Sequence, residues 1–102
     1  MKCVERWIHK IAPGKWDEWL EVEKKWDAIE RRLGGFPAKR RYRAIFGSED
    51  VNTFVWEREW ESFPASEAAY GRMMDDPEAQ KLGRDFALLV ESKRGELYWP
   101  LP

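Results

Sequence analysis

Among 102 residues the chain has one cysteine, Cys3, and one histidine, His9. A single thiol excludes an internal disulfide, a Cys-x-x-Cys redox pair and a zinc site built from thiolates, and it suits a reducing cytoplasm. Long apolar runs are also missing. The longest, Phe86 to Val90, falls far short of the ~20 residues a spanning helix needs. Lys2, Glu5 and Arg6 stand where a signal peptide needs an apolar stretch, so an unprocessed, cytoplasmic chain with no membrane partner is expected. Excess charge of either sign is absent, with 18 Lys+Arg against 19 Asp+Glu and a net charge of -1. No broad basic field therefore attracts nucleic acid. Nor is there a Gly-x-Gly-x-x-Gly or P-loop phosphate cradle, a His-Glu-x-x-His zinc motif or a Gly-x-Ser-x-Gly nucleophile elbow.

What the chain does have is charge and large rings. Charged residues make up 36% and there are seven tryptophans, both well above ordinary usage. Much of the apolar area is thus concentrated in a few rings, which line cores, interfaces and pockets. The length fits one domain, residues 1–102, burying roughly 65% of its unfolded surface.

From Met1 to Ile11 bulky and charged residues alternate, with Cys3, Trp7, His9 and Ile11 on one parity and Val4, Arg6, Ile8 and Lys10 on the other. This predicts a strand with apolar residues on both faces. Ala12-Pro13-Gly14 ends it. Trp16, Trp19, Val22, Trp26, Ile29 and Leu33 recur at helical spacing and predict a long helix, stopped by Gly34-Gly35 and Pro37. Ala38 to Phe46 and Thr53 to Trp60 are rich in β-branched and aromatic residues and predict a hairpin. Setting Arg41 opposite Glu59 and Arg43 opposite Glu57 pairs opposite charges on one face and leaves Tyr42 and Trp56 on the aromatic one. A short helix around Ser66 to Met74 follows, then a second one. Asp76 is its expected N-cap, Pro77 its first residue, and Leu82, Phe86 and Leu89 continue its stripe. A last strand, Val90 to Trp99, is expected to bend at Gly95.

Strand, helix, strand, strand, helix pair, strand is the order of the α+β, ferredoxin-like split βαβ arrangement, a four-stranded antiparallel sheet with helices on one face. The outer face would carry Ile8, Ile45 and Val55 among Arg6, Arg41, Arg43, Glu57 and Glu59. Packing two such sheets together would cover it, so a homodimer is expected, with Arg6, Ile8, Arg41, Arg43, Glu57 and Glu59 at its interface.

Two segments carry a family resemblance. The strand ending Ile11-Ala12-Pro13-Gly14-Lys15-Trp16 before a long helix resembles the first strand and Pro-Gly-Lys turn of the NIPSNAP-like branch of the dimeric α/β-barrel superfamily. Glu59-Trp60-Glu61-Ser62 resembles the Trp-x-Ser end of that branch's third strand. Members of the superfamily include heme-degrading and cofactor-free monooxygenases, polyketide cyclases and proteins without known activity. The resemblance implies a pocket between sheet and helices carrying Trp7, His9, Ile11, Tyr42, Trp56, Arg58 and Trp60, capped by Tyr70, Met73, Met74 and Phe86. Heme-degrading relatives place an iron-ligating histidine after the third strand. No histidine follows His9 here, which disfavours that chemistry, although Tyr70 could ligate in principle. No cofactor and no metal are expected.

His9 is the only side chain whose ordinary pKa lies near neutrality, so it is the candidate acid or base. It is equally a candidate ligand-orienting group or a satisfied structural residue. The tryptophan stripe of the first helix has core spacing. Lys39-Arg40-Arg41-Tyr42-Arg43 has the aspect of a single-strand nucleic-acid groove, but strand alternation divides its charges between two faces. Asp75, Asp76 and Glu78 lack calcium-loop spacing and suit helix capping. Three readings remain: a dimer binding a small apolar or aromatic metabolite; a cofactor-free monooxygenase or cyclase in which His9 shuttles a proton, Tyr42 or Tyr70 binds a substrate oxygen and Trp60 holds a ring; and a purely structural dimer.

Overall fold

The computed structural model describes residues 1–102. Its elements are β1 (Cys3–Ile11), α1 (Trp16–Leu33), β2 (Arg40–Arg43), β3 (Thr53–Trp60), α2 (Phe63–Met74), α3 (Pro77–Ala87) and β4 (Val90–Tyr98). The strands form one antiparallel sheet in the order β2-β3-β1-β4, and the three helices cover one face. This is the expected ferredoxin-like arrangement.

Local chemistry accounts for the boundaries. Gly14 and Gly34 take φ near +77 and +76, where a side chain would be strained. The Gly34 N–H closes α1 on the Glu30 carbonyl. The Ser62 hydroxyl accepts the Ala65 N–H at 3.2 Å, so α2 begins at Phe63, three residues before the Ser66 that opens the sequence-predicted helix. Asp76 caps α3 by accepting the Ala79 N–H at 3.0 Å, as expected. Its carboxylate also receives a two-pronged bond from Arg32 in the last turn of α1, at 3.0 and 2.8 Å.

The hairpin departs from expectation. Regular β2 covers four residues, and Ile45 and Phe46 stand exposed beyond it. Arg40 lies opposite Glu57, Arg41 opposite Trp56, Tyr42 opposite Val55 and Arg43 opposite Phe54. Relative to the predicted pairing this is a slip of three positions. An odd slip exchanges the two faces of a strand, so Arg41 and Arg43 turn toward the helices and Tyr42 toward the outer face. The reason lies outside the hairpin. Arg41 reaches Glu23 at 3.1 Å and Asp27 at 2.6 Å on α1, and the Arg43 guanidinium sits 4.1 Å from the centre of the Trp16 ring. On the outer face the carboxylates meant for these arginines are taken from β1's side, Glu57 by Arg6 at 3.0 Å and Glu59 by Lys2 at 3.4 Å.

The main core gathers Ile11, Trp19, Val22, Ile29, Phe54, Trp56, Ala79, Leu82 and Leu89, and a smaller one joins Cys3, Trp60 and Ala69 beside Phe36 and Tyr70. β4 pairs with β1 in unbroken register through Gly95, and the irregularity in the ladder falls between Lys10 and Ile11. Gly95 faces Trp7 across the ladder, and a Cβ there would lie 2.7–2.8 Å from three atoms of the indole. The glycine makes room for the ring. Gly95→Ala is therefore expected to cost ~1–3 kcal/mol through overpacking, read by urea denaturation, and a second substitution, Trp7→Leu, is expected to recover part of that loss.

Candidate functional site

The inward parity of β1 and β3 brings Glu5, Trp7 and His9 alongside Trp56, Arg58 and Trp60. Arg58 is the centre of this group, with a side chain only 1% exposed. Its guanidinium donates to Glu30 of α1 through both terminal nitrogens at 2.9 and 3.2 Å, to Glu5 at 3.2 Å and to the Tyr70 hydroxyl at 2.8 Å. It also lies 4.7–5.6 Å from the ring centres of Trp56, Phe36, Trp60 and Tyr70. Burial opposes its charge, but Tyr70, Glu30 and Glu5 more than offset that and hold its pKa above the ordinary value.

Glu5 is fully occupied. One carboxylate oxygen accepts from Arg58 and from the Trp60 indole at 2.9 Å, and the other accepts from the Trp7 indole at 2.8 Å and from Tyr70 at 2.7 Å. The Tyr70 hydroxyl thus donates to Glu5 while accepting from Arg58, and burial pushes its pKa well above the ordinary value, so it stays neutral. Lys39, just before β2, approaches Glu30 at 3.2 Å and lies 4.4 Å from the centre of the Trp56 ring. Burial lowers its pKa against the pull of Glu23 and Glu30. Buried charges persist only when paired and hydrogen-bonded, and Glu5, Glu23 and Glu30 each meet that condition through Arg58, Arg41 or Lys39.

Beside this cluster a cavity of about 270 Å³ opens between the sheet and the helices. Its apolar wall is Trp7, Trp26, Trp56, Met73 and Phe86, and its polar lining is His9, Glu23, Glu30, Lys39, Arg58, Tyr70 and Lys93. His9 is 2% exposed, packed at ring-centre distances of 4.9 Å from Trp19 and 5.4 Å from Phe86. Its Nδ1 is buried without a hydrogen-bond partner. Burial, then the nearby positive charges of Lys39 and Lys93, lower its pKa to about 4, so the imidazole is neutral at pH 7.

Of the residues expected at the pocket, Trp7, His9, Trp56, Arg58, Tyr70, Met73 and Phe86 come together around this cavity. Trp60 instead sits in the smaller core and lines an adjoining, more open cleft that shares Trp7 and Tyr70 as walls. Ile11 is packed in the main core. Tyr42 faces outward, for the register reason given above, and Met74 ends α2 with 73% of its surface exposed. Glu5, Glu23, Glu30, Lys39, Trp26 and Lys93 were not foreseen in the site. A signal for the acids exists: Glu23 and Glu30 fall within the apolar stripe of α1, and Glu5 lies on the inward parity between Cys3 and Trp7. No group of three or more His, Cys, Asp or Glu side chains is arranged to hold a metal ion.

Two outcomes follow from this electrostatics. Arg58→Met leaves Glu5 and Glu30 buried without their main counter-charge and is expected to lose ~3–5 kcal/mol of stability, whereas Lys24→Gln, which breaks the exposed pair with Glu21 on α1, is expected to change it by less than ~1 kcal/mol; chemical denaturation checks both. His9 has a folded pKa of about 4 against 6.5 when unfolded, so between those values the unfolded chain binds a proton that the folded one refuses. Its stabilising contribution is complete above pH 6.5 and is lost as pH falls toward 4, by roughly 3 kcal/mol. His9→Phe is expected to flatten that part of a stability–pH curve.

No protein-family model matches the chain, and no curated protein matches it. Solved structures do. A NIPSNAP family protein from Agrobacterium tumefaciens is similar over 98% of this chain and 86% of its own at 20% identity, with a TM-score of 0.82. An uncharacterized NIPSNAP domain protein from Burkholderia xenovorans is similar over 97% and 94% at 19% identity and 0.78. SnoaB, a cofactor-independent oxygenase from Streptomyces nogalater, is similar over 97% and 92% at 15% identity and 0.74. The chain therefore has the ferredoxin-like fold that these NIPSNAP proteins and this cofactor-independent oxygenase share.

Proposed function

We propose that the protein is a cytoplasmic homodimer that binds a small apolar or aromatic metabolite in the cavity between sheet and helices. The observation that carries this reading is the cavity itself, about 270 Å³ between sheet and helices, with Trp7, Trp26, Trp56, Met73 and Phe86 as its apolar wall and the neutral His9 imidazole in its lining. At about 270 Å³ the space suits one or two rings, just below the usual ~300–1,000 Å³ of ligand sites. Met73, unbranched and polarizable, gives the wall some adaptability.

Dimerisation is supported by the outer face. Val4, Arg6, Ile8, Val55 and Glu57 are half-buried there, Tyr42 and Tyr98 are exposed, and the molecule is 17 Å across its shortest axis, so no second layer covers the sheet. Arg6, Ile8, Glu57 and Glu59 stay in the proposed interface, and Tyr42 takes the place expected for Arg41 and Arg43.

A catalytic reading of the same cavity draws on the neutral His9. With a pKa of about 4 it is deprotonated at pH 7, which leaves it a base step rather than an acid one, and a weak base at that. SnoaB provides the precedent of a cofactor-independent oxygenase on this fold. Any turnover assigned to the cavity is expected to fall at least ~100-fold in His9→Ala if His9 is its base.

The binding reading is tested with 2-naphthamide, a neutral aromatic, by isothermal titration calorimetry. Native mass spectrometry is expected to show twice the 12.2 kDa chain, and calorimetry one site per subunit. Met73→Trp, which fills the cavity from α2, is expected to weaken binding at least tenfold while leaving the dimer intact.

A further inference from the structure

His9 and Lys93 are cross-strand partners on β1 and β4, and both line the cavity. Partners on one face of an antiparallel pair hold their Cβ atoms about 5 Å apart. The two side chains therefore form a unit.

Lys93 differs from the other cations around the cavity. Arg58, Lys39 and Arg41 are each held by carboxylates, whereas Lys93 makes no ion pair. Its Nζ lies 5.2 Å from the ring centre of Phe86 and 5.9 Å from that of Trp7. Across the ladder from it stands the His9 imidazole, which also lines the cavity. The charges that act on His9 are those of Lys39 and Lys93, both positive, so this corner of the cavity favours electron-rich atoms. The cavity's own carboxylates cannot supply them, because Glu23 is engaged by Arg41 and Glu30 by Arg58 and Lys39. A cationic ligand would meet lysines already seated over the rings.

Resting on the reading of the cavity as a binding site, we propose that its ligand is a small aromatic carboxylate. One carboxylate oxygen is held by Lys93 Nζ and the other by the N–H of the neutral His9 imidazole, with the ring among Trp7, Trp26, Trp56 and Phe86. The two donors match the two oxygens of a carboxylate, and charge-assisted bonds of this kind are about twice as strong as neutral ones.

The test compares 2-naphthoate with 2-naphthamide, which has the same rings without the charge, by calorimetry on the intact protein. Naphthoate is expected to bind about tenfold more tightly, the discrimination of one charged hydrogen bond. Lys93→Met, at an exposed position, is expected to abolish that preference, so that the two probes bind alike. Equal binding of the two by the wild type would overturn the carboxylate assignment while leaving the cavity a binding site. A preference that survives Lys93→Met would overturn the role of Lys93. Binding of neither would overturn the binding reading and this inference with it.

Discussion

The Arg58 guanidinium is the point on which the interior turns. One planar cation joins β3 to β1 through Glu5, to α1 through Glu30 and to α2 through Tyr70, so four elements meet on it. The carboxylate partners have themselves been taken out of water, and the tryptophan N–H groups of Trp7 and Trp60 complete the coordination of Glu5. Such a cluster contributes little net stability against a well-packed apolar alternative, because desolvation consumes most of the attraction. Its effect is directional. A slipped strand or rotated helix would strand a buried charge, so the cluster penalises wrong arrangements more than it rewards the right one.

The same network shapes the cavity. Because its carboxylates are consumed by fixed arginines and Lys39, the polar capacity left to a ligand is small and confined to the His9–Lys93 corner, with rings elsewhere. Aromatic side chains suit this division, since each covers much area with few rotatable bonds. The tryptophan-rich composition thus has two structural uses: Trp19 fills the core completely, whereas Trp7, Trp26 and Trp56 bound an open space.

Element order, the long helix, the Asp76 cap and the inward parity of β1 were legible in the sequence because each is written in local periodicity or capping chemistry. The β2–β3 register was not. Pair chemistry within the hairpin matched Arg41 and Arg43 to Glu59 and Glu57, but β3 is a central strand and Glu57 belongs to Arg6 on its other side. Only the three-dimensional position of Glu23 and Asp27 on α1 reveals where Arg41 goes. The acids of the site were hidden for a related reason: Glu5, Glu23 and Glu30 lie at core positions, yet charged residues at such positions are ordinarily solvated unless a partner far along the chain claims them. Arg58 is 53 residues from Glu5 and 28 from Glu30.

The bond between Arg32 and Asp76 bears on how anything enters the cavity. Arg32 closes the last turn of α1 and Asp76 opens α3, so the negative pole of one helix and the positive pole of the next are bridged by groups of the complementary sign. Fastened there, α1 and α3 resist parting as a hinged cover, the slow kind of motion that gates many enclosed sites. Admission then falls to the side chains at the rim. Met73, in the cavity lining, is long and unbranched, and Lys93 is exposed; rotamer changes of such groups take picoseconds to nanoseconds. A guest held in the proposed site would exchange at the pace of side chains rather than of the fold.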